Sequence, residues 1–329
     1  MSTQVQEATD TRWNDDSRTG SDASKAAVSL ARVWRGYILC AYLDNDKNSE
    51  NVWTTIYDPY THDQWIGSEK IPIAGIQANL TSAAPPAVAY LNLNAVIITA
   101  ASSGQTLLSV LPYPVNADSP DEFKNIPGAH FGPAPVSDLA VPTRPALINF
   151  NDELVFVYRN KSNALAAVIG TMNPQKVFSW SPAHAMGASG GTDGPSLTFY
   201  QGRLFCAYTA QGGQIMVASS ADGVTWSAWS ATGAFSAYGP ALSADPLGYS
   251  LILMYADGDS KRITTRNSGD GHTWSAPEKC NGQTQDAPAL VASAAGLMLA
   301  VYRGSTNDNV YYVTTKPGLW NYLSAAQSK

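Results

Sequence analysis

Two aspartates and a tyrosine occupy the same position in three copies of a segment that repeats along this sequence. Asp193, Tyr238 and Asp286 each precede, by two residues, the proline of a Pro-Ser/Ala-Leu segment that opens an apolar run. Paired carboxylates at one mouth can act as acid and base on a glycosidic bond, and carboxylates beside a phenol can also bind sugar hydroxyls. We therefore predict a ligand contact at all three residues, and a catalytic role for them if the protein is an enzyme.

Three arginines accompany these residues in the repeated segments. Arg144 stands beside another opening proline, while Arg159 and Arg303 each follow a tyrosine at the end of an apolar run. A guanidinium group presents a rigid fork of donors that suits carboxylates and neighbouring hydroxyls. We predict that the arginines join the same ligand-binding mouth. The alternative is that they are ordinary charges at loop ends, where solvent weakens any ion pair.

The elements that position these residues repeat six times. Apolar strands open at Pro86, Pro145, Pro195, Pro240 and Pro288, with Ala26-Ala-Val28 as a degenerate first copy. Two residues before the openings stand Ser24, Ala84, Thr143, Asp193, Tyr238 and Asp286. A second strand ending near a tyrosine, a third strand rich in β-branched residues and a fourth beginning at a tryptophan follow in most units.

Four strands in each unit of about 40–60 residues predict the blades of a propeller. No stretch keeps the 3.6-residue apolar period of a long helix. The fold prediction is therefore all-β, a six-bladed β-propeller of four-stranded antiparallel blades in residues 25–329. Residues 1–24 are predicted to form an N-terminal arm. Either Thr11–Asn14 or Leu319–Leu323 is expected to supply the strand that closes the last blade.

One short motif occurs twice, as Ser220-Ala-Asp-Gly-Val-Thr-Trp226 and Ser268-Gly-Asp-Gly-His-Thr-Trp274. Its pattern predicts a tight turn whose aspartate accepts backbone N–H groups and whose glycine adopts a positive φ. The residues assigned to this structural role are Ser220, Asp222, Gly223, Thr225, Trp226, Ser268, Asp270, Gly271, Thr273 and Trp274.

The motif resembles the Asp box, or BNR repeat, of sialidase-like β-propellers. This resemblance implies a propeller fold with the boxes on the face away from the active site. It implies less about activity, because the arginine of the sialidase Arg-Ile-Pro segment has no counterpart here. The similar segment Thr143-Arg144-Pro145 holds its arginine one position late, and the glutamates fall outside the predicted mouth.

The composition favours binding to carbohydrate. Charged residues are 14% of the chain, the net charge is −6, and the sequence contains 16 Tyr and 9 Trp. This balance gives no basic surface for nucleic acid, whereas flat aromatic rings suit the C–H faces of sugars. Trp34, Trp53 and Trp229 have no role in the repeated motif, and we expect one of them to contact a ligand.

The sequence therefore predicts a lectin-like protein that recognises glycans or glycoconjugates through its top-face loops. An exo-acting, sialidase-like glycoside hydrolase centred on Asp193, Tyr238 and Asp286 is the alternative, and a protein-interaction scaffold is the third possibility. A hydrolase needs one pocket that excludes water, whereas a lectin benefits from several equivalent grooves.

Other expectations concern location and cofactors. The polar N-terminus lacks the pattern of a signal peptide, and no apolar stretch is long enough to span a membrane. A soluble chain is therefore expected, either cytoplasmic or exported by a non-standard route. No cofactor and no metal site is predicted from the scattered histidines and three cysteines. Nothing in the sequence sets the oligomeric state.

Overall fold

The structure is a computed structural model, and it describes residues 13–15, 17–60, 64–75, 78–112, 128–173, 177–191, 193–258 and 260–316. These residues form 25 β-strands and one short 3-10 turn, Trp34–Gly36. The strands assemble into six antiparallel sheets, which confirms the predicted all-β, six-bladed propeller. Within this part of the chain no helix is long and apolar enough to cross a membrane.

Blades 1 to 6 are numbered in chain order, each from its innermost strand outward. The strands of blades 1 to 3 are β2 (Ser29–Arg32), β3 (Ile38–Leu43), β4 (Val52–Asp58) and β5 (Gln64–Lys70); β6 (Ala87–Leu91), β7 (Asn94–Ala100), β8 (Thr106–Leu111) and β9 (His130–Gly132); and β10 (Ala146–Phe150), β11 (Glu153–Arg159), β12 (Ala164–Met172), β13 (Phe178–Trp180) and β14 (His184–Ser189). Blade 3 has five strands because β13 and β14 both pair with β12.

Blades 4 to 6 have four strands each. They are β15 (Ser196–Tyr200), β16 (Arg203–Thr209), β17 (Gln214–Ser220) and β18 (Ser230–Phe235); β19 (Ala241–Ala244), β20 (Leu251–Ala256), β21 (Arg262–Ser268) and β22 (Glu278–Gln283); and β23 (Ala289–Ala292), β24 (Met298–Arg303), β25 (Asn309–Thr314) and β1 (Ser17–Ala23).

The sixth blade takes its outermost strand from the opposite end of the chain. Strand β1 pairs antiparallel with β25, and Trp13 forms a separate bridge to Thr315 just before it. The continuous strand thus begins a few residues later than the predicted Thr11–Asn14, and Trp13 contributes the isolated bridge that precedes it. Thr11, Arg12 and Leu319–Leu323 lie outside the described residues.

The hydrophobic core is divided among the blade interfaces. Six clusters of buried side chains each contain residues of two adjacent blades, including a cluster in which blade 6 meets blade 1. Each blade therefore buries both its faces only when both neighbours are present. The stability of the ring depends on its closure.

Antiparallel pairing gives the ring two distinct faces. We call the face at which the innermost strands begin the upper face, and the face at which they turn back into the second strands the lower face. Tight turns at the lower face hold consecutive residues at positive φ, as at Asn151 (φ 53°) and Asp152 (φ 62°). These angles are typical of the two-residue turns that match the twist of a hairpin.

The two copies of the repeated motif, which we call the repeat turns, also lie at the lower face. The Asp222 carboxylate accepts the N–H groups of Val224 (2.8 Å) and Thr225 (2.7 Å), and Gly223 has φ 75°. The second repeat turn has the same bonds to Asp270. These bonds stabilise the ionised carboxylates, so they lower the pKa of Asp222 to about 2 and that of Asp270 as well.

Two details of the predicted repeat differ in the structure. The innermost strand of blade 1 begins at Ser29, so the position equivalent to the opening prolines is Val28 and the position two residues earlier is Ala26, not Ser24. The outermost strands of blades 4 and 5 begin at Ser230 and Glu278, four residues after the motif tryptophan. The tryptophan packs within the turn instead of starting the strand.

Candidate functional site

Arg144 lies at the centre of the ring near the upper face. Its side chain is buried, and its Nη1 donates to the carbonyl oxygens of Val28 (3.3 Å) and Pro288 (2.9 Å). Its Nη2 donates to the carbonyl oxygen of Pro240 (3.0 Å). One arginine from the start of blade 3 therefore connects the starts of blades 1, 5 and 6 across the axis.

The other two predicted arginines also bind backbone. Arg159 is buried and donates to the carbonyl oxygens of Gly191 and Asp193 in the loop that leads into blade 4. Arg303 donates to the carbonyl oxygen of Lys25 (2.9 Å) and pairs with the Asp308 carboxylate (2.6 Å). These bonds fix the loops between blades, so the guanidinium groups are engaged before any ligand arrives.

The two predicted carboxylates both lie near Arg144. Asp193 accepts the N–H groups of Gly194 (2.6 Å) and Gly239 (2.8 Å), one on each oxygen. Asp286 accepts the N–H group of Ala287 (2.9 Å), and its second oxygen lies 3.5 Å from Arg303 Nη1. The structure thus brings five of the six predicted residues together around the axis, as a network that ties blades 3 to 6 and the loop before blade 1.

Tyr238 is the sixth predicted residue and differs from the rest. Its ring is half-buried at the upper face, and its backbone carbonyl accepts a bond from Thr209 Oγ1 (2.6 Å). The equivalent positions in blades 1 and 2 are Ala26 and Ala84. The residues at this position are therefore apolar in blades 1 and 2 and polar in the later blades. Tyr238 is thus partly accessible at this face.

Burial makes the Asp286 carboxyl a weaker acid than an exposed aspartate. Loss of solvent and the nearby Asp193 charge raise the pKa of Asp286 to about 6, against the opposing effects of the Ala287 N–H, Arg303 and Arg144. The folded protein therefore retains a proton that the unfolded chain releases between about pH 4 and pH 6. The retained proton stabilises the fold at low pH, and this stabilisation is lost as pH rises through 6.

We expect the wild-type protein to lose about 2 kcal/mol of stability, relative to Asp286→Asn, as pH rises from 4.5 to 7. Urea unfolding of both proteins at pH 4.5, 5.5 and 7 measures the difference. The Asp222 carboxylate titrates below this window because its pKa is about 2, so it does not interfere. A difference between the two proteins that stays constant with pH would contradict the assignment.

The central channel is narrow near Arg144 and wide at the lower face. Beside Arg144 the free space is about 70 Å³. Toward the lower face it widens into a cavity of about 1220 Å³, lined by the innermost strands and turns of all six blades. We call this cavity the axial funnel. Among the described residues, the wide end of the channel thus opens at the face opposite the predicted mouth.

A second opening, the outer groove, lies at the edge of the ring between blades 3 and 4. Its volume is about 660 Å³, and it is lined by residues 185–187 of β14 and residues 224–229, which end the first repeat turn and lead into β18. Trp226 and Trp229 contribute two half-buried rings. No charged side chain is among the described residues that line it.

Hydrogen bonds and packing fix both tryptophans in the outer groove. Trp226 Nε1 donates to the carbonyl oxygen of Gly223 (3.2 Å), and Trp229 Nε1 donates to that of Met186 (2.8 Å). Trp229 also packs edge to face on Tyr208, with ring centroids 4.7 Å apart. The polar edges of the rings are thus used internally, while part of their apolar surface stays accessible.

The equivalent position between blades 4 and 5 is filled by an arginine. Arg266 donates to the carbonyl oxygens of Ser275 (2.8 Å) and Gly233 (3.1 Å), which bridges the outermost strand of blade 4 to the turn of blade 5. An arginine in this place covers the surface that the groove leaves open between blades 3 and 4. The repeated blades therefore do not offer identical outer grooves.

The sequence identified some groove residues and missed others. Of the three tryptophans expected to include a ligand contact, Trp34 is 1% exposed and donates to the Leu93 carbonyl, and Trp53 lies under the Lys70 ammonium. Of the three, Trp229 lines one of the openings described above. Met186 and Gly187 were not identified, because nothing in the sequence shows which outermost strand faces which turn.

Comparisons with known proteins give matches in structure and none in sequence. No protein-family model and no curated protein sequence matches the chain. Among solved structures, AofleA from Arthrobotrys oligospora matches with TM-score 0.62 and 9% identity over 92% of this chain and 87% of that one. The SapL1 lectin, solved in complex with alpha methyl fucoside, matches with TM-score 0.60 and 11% identity over 92% and 96%.

A sialidase gives a match of similar quality. A mutant of Trypanosoma rangeli sialidase displaying trans-sialidase activity matches with TM-score 0.60 and 11% identity, over 97% of this chain but 60% of that one. At such identities the likeness concerns the fold alone. The chain is similar in architecture to six-bladed propellers that include a lectin and sialidases.

Proposed function

We propose that this protein is a carbohydrate-binding, lectin-like β-propeller. The observation that carries the proposal is the outer groove, in which Trp226 and Trp229 are fixed by their own hydrogen bonds. Flat apolar surface within an uncharged groove suits the C–H face of a sugar ring. Backbone groups of the residues that line the same groove can meet the sugar hydroxyls, whereas the Ser227 hydroxyl is already bonded to neighbouring backbone groups.

The architecture supports this proposal. A protein named as a lectin and solved with alpha methyl fucoside has the same fold over nearly its full length. We also infer that the repeat turns are Asp boxes and that they are structural, since Asp222 and Asp270 direct their oxygens at their own backbone. We keep Tyr238 as an additional contact on the upper-face loops, where its half-buried ring is accessible.

Glycoside hydrolysis remains the alternative function, and one observation favours it. The raised pKa of Asp286, about 6, suits a general acid beside the Asp193 carboxylate. Against it, both Asp193 oxygens accept backbone N–H groups, and the space beside Arg144 is only about 70 Å³. Ligand pockets typically enclose about 300–1,000 Å³. We therefore place carbohydrate binding first.

The test fills the outer groove without touching either tryptophan. Ala228→Glu adds a charged side chain at an exposed position that lines the groove, and Ala221→Glu adds the same side chain at an exposed position outside it. We expect Ala228→Glu to weaken glycan binding at least about tenfold, or about 1.4 kcal/mol, with Ala221→Glu unchanged. Quenching of tryptophan fluorescence during titration with array-selected glycans measures the affinity.

A panel of fluorogenic glycosides, run with the same proteins, separates the functions. Turnover that Asp286→Asn abolishes would move the hydrolase to first place. An absence of glycan binding and of turnover would favour a protein-interaction scaffold. Equal affinities of the Ala228→Glu and Ala221→Glu proteins would show that the glycan binds elsewhere on the ring.

A further inference from the structure

The axial funnel is a second opening whose chemistry differs from that of the outer groove. Its volume of about 1220 Å³ exceeds that of the groove, and it narrows toward the engaged guanidinium of Arg144. Typical pockets for small molecules enclose about 300–1,000 Å³. The funnel therefore has room for several linked rings, entering from the lower face.

Backbone edges form the wall of the funnel. The innermost strands of all six blades stand at the end of their sheets, so each is paired on one side only and turns its other edge to the axis. Some of these backbone groups are bound by neighbouring blades, as when Ser196 Oγ accepts the Leu242 N–H (2.9 Å) and Thr198 Oγ1 accepts the Ala244 N–H (3.1 Å). A strand edge without a partner strand presents its backbone donors and acceptors at regular spacing.

The charges of the described funnel residues are confined to its mouth. Arg32, Arg35 and Asp152 are exposed there, and their mixed signs give no single field to attract an ion. Asp245 also lines the funnel, but it is buried and bound to the Leu247 N–H (2.8 Å) and the Ser250 hydroxyl (2.8 Å). A charged ligand would lose its hydration in the funnel without a partner.

An aromatic pair stands at the mouth. Phe199 on β15 lines the funnel with 47% of its surface exposed, and its ring packs against Phe150 with centroids 5.8 Å apart. An exposed phenylalanine on an innermost strand has no packing role that requires this much free surface. Its face can instead stack on a ring that enters the funnel.

We propose that the axial funnel binds the end of an unbranched neutral oligosaccharide. The strand edges along its wall, the mixed charges at its mouth and the exposed ring of Phe199 support this proposal. The funnel is a second site of the same ligand class, and in that respect it rests on the proposed function. Its residues are separate from those of the outer groove. The hydroxyl groups of the sugar bond to strand edges, and its outermost ring stacks on Phe199.

Two measurements on the full-length protein distinguish binding in the axial funnel from binding in the outer groove. The outer groove contains two tryptophans, whereas no tryptophan is among the described residues that line the funnel. Calorimetric titration with neutral linear tetrasaccharides of glucose, mannose, galactose and N-acetylglucosamine therefore reports both sites, while tryptophan fluorescence reports the groove. We expect one of these probes to give a calorimetric binding event that leaves the fluorescence unchanged.

Two variants with matched controls assign that event to the funnel. Phe199→Ala should weaken it at least about tenfold, while Phe235→Ala, which removes a phenylalanine of similar exposure (54%) from another strand of the same blade, should not. Ala294→Trp places a large ring in the funnel mouth, and Ala295→Trp places it at the next exposed position, outside the lining. Only Ala294→Trp should weaken the event.

The outcomes keep the two proposals apart. Loss of the fluorescence-silent event in Ala228→Glu, with no effect of Phe199→Ala or Ala294→Trp, would overturn the axial site and leave the outer groove intact. The absence of a fluorescence-silent event for all four tetrasaccharides at about 10 mM would also overturn the axial site. Its persistence in Ala228→Glu, together with its loss in Phe199→Ala, would support it even if the outer groove binds nothing.

Discussion

Replacing Arg144 with methionine is expected to lower the free energy of unfolding by about 3 kcal/mol or more. Methionine has a similar length but no donor, so the carbonyl oxygens of Val28, Pro240 and Pro288 lose their shared partner. A hydrogen bond to a charged group contributes about 1.5–3 kcal/mol. Water entering from the axial funnel replaces part of the loss, so the three contributions will not add in full.

Urea unfolding at pH 7 measures this effect, and Arg32→Met is the matched control because Arg32 is exposed at the funnel mouth. We expect the control to change stability by less than about 0.5 kcal/mol. The Arg144 charge also opposes the rise in the pKa of Asp286. Arg144→Met should therefore move the pH-dependent loss of stability to higher pH. Equal stability of the two variants would show that Arg144 does not connect the blades.

The repeat made the fold predictable from the sequence. A blade is a local unit, so its strands, its tight turns and its tyrosines recur at similar spacing. The third strand expected in each unit, for example, is present in all six blades. Positions where a unit departs from the pattern were less certain. The opening of blade 1 was placed two residues early because Val28 stands where the other units have proline.

The candidate site was harder to predict, for a physical reason. The sequence placed Asp193, Asp286 and the three arginines at one mouth, and the structure brings them together there. What the sequence could not show is that Arg159 and Arg303 would be engaged by backbone carbonyls such as those of Gly191 and Lys25. The Gly191 carbonyl lies in the loop that leads into blade 4, and the Lys25 carbonyl comes from the opposite end of the chain, so its position depends on closure.

The openings were missed for the same reason. The outer groove exists where β14 of blade 3 meets the repeat turn of blade 4, and at the next interface Arg266 fills the equivalent space. Two differences between otherwise similar units thus distinguish these interfaces, Ala218 against Arg266 and Trp229 against Pro277.

Deleting residues 1–23 is expected to prevent the protein from accumulating as a folded monomer. The deletion removes β1, so β25 loses its antiparallel partner and becomes an unpaired strand edge. It also removes Trp13 from the cluster between blades 5 and 6, and Asp22, which accepts a bond from the Tyr42 hydroxyl (3.0 Å). An exposed edge of this kind pairs readily with other chains.

Size-exclusion chromatography and thermal unfolding of the soluble fraction measure the outcome. A chain that begins at residue 13 is the matched control, because it keeps Trp13, β1 and the bridge to Thr315. We expect this control to melt like the full chain, while the longer deletion aggregates or elutes as higher oligomers. Adding a synthetic peptide of residues 13–24 to the deleted chain during refolding should restore monomer, because the peptide supplies the missing strand. If the deleted chain melts at the temperature of the full chain, then β1 does not hold the ring closed, and blade 6 is stable with three strands.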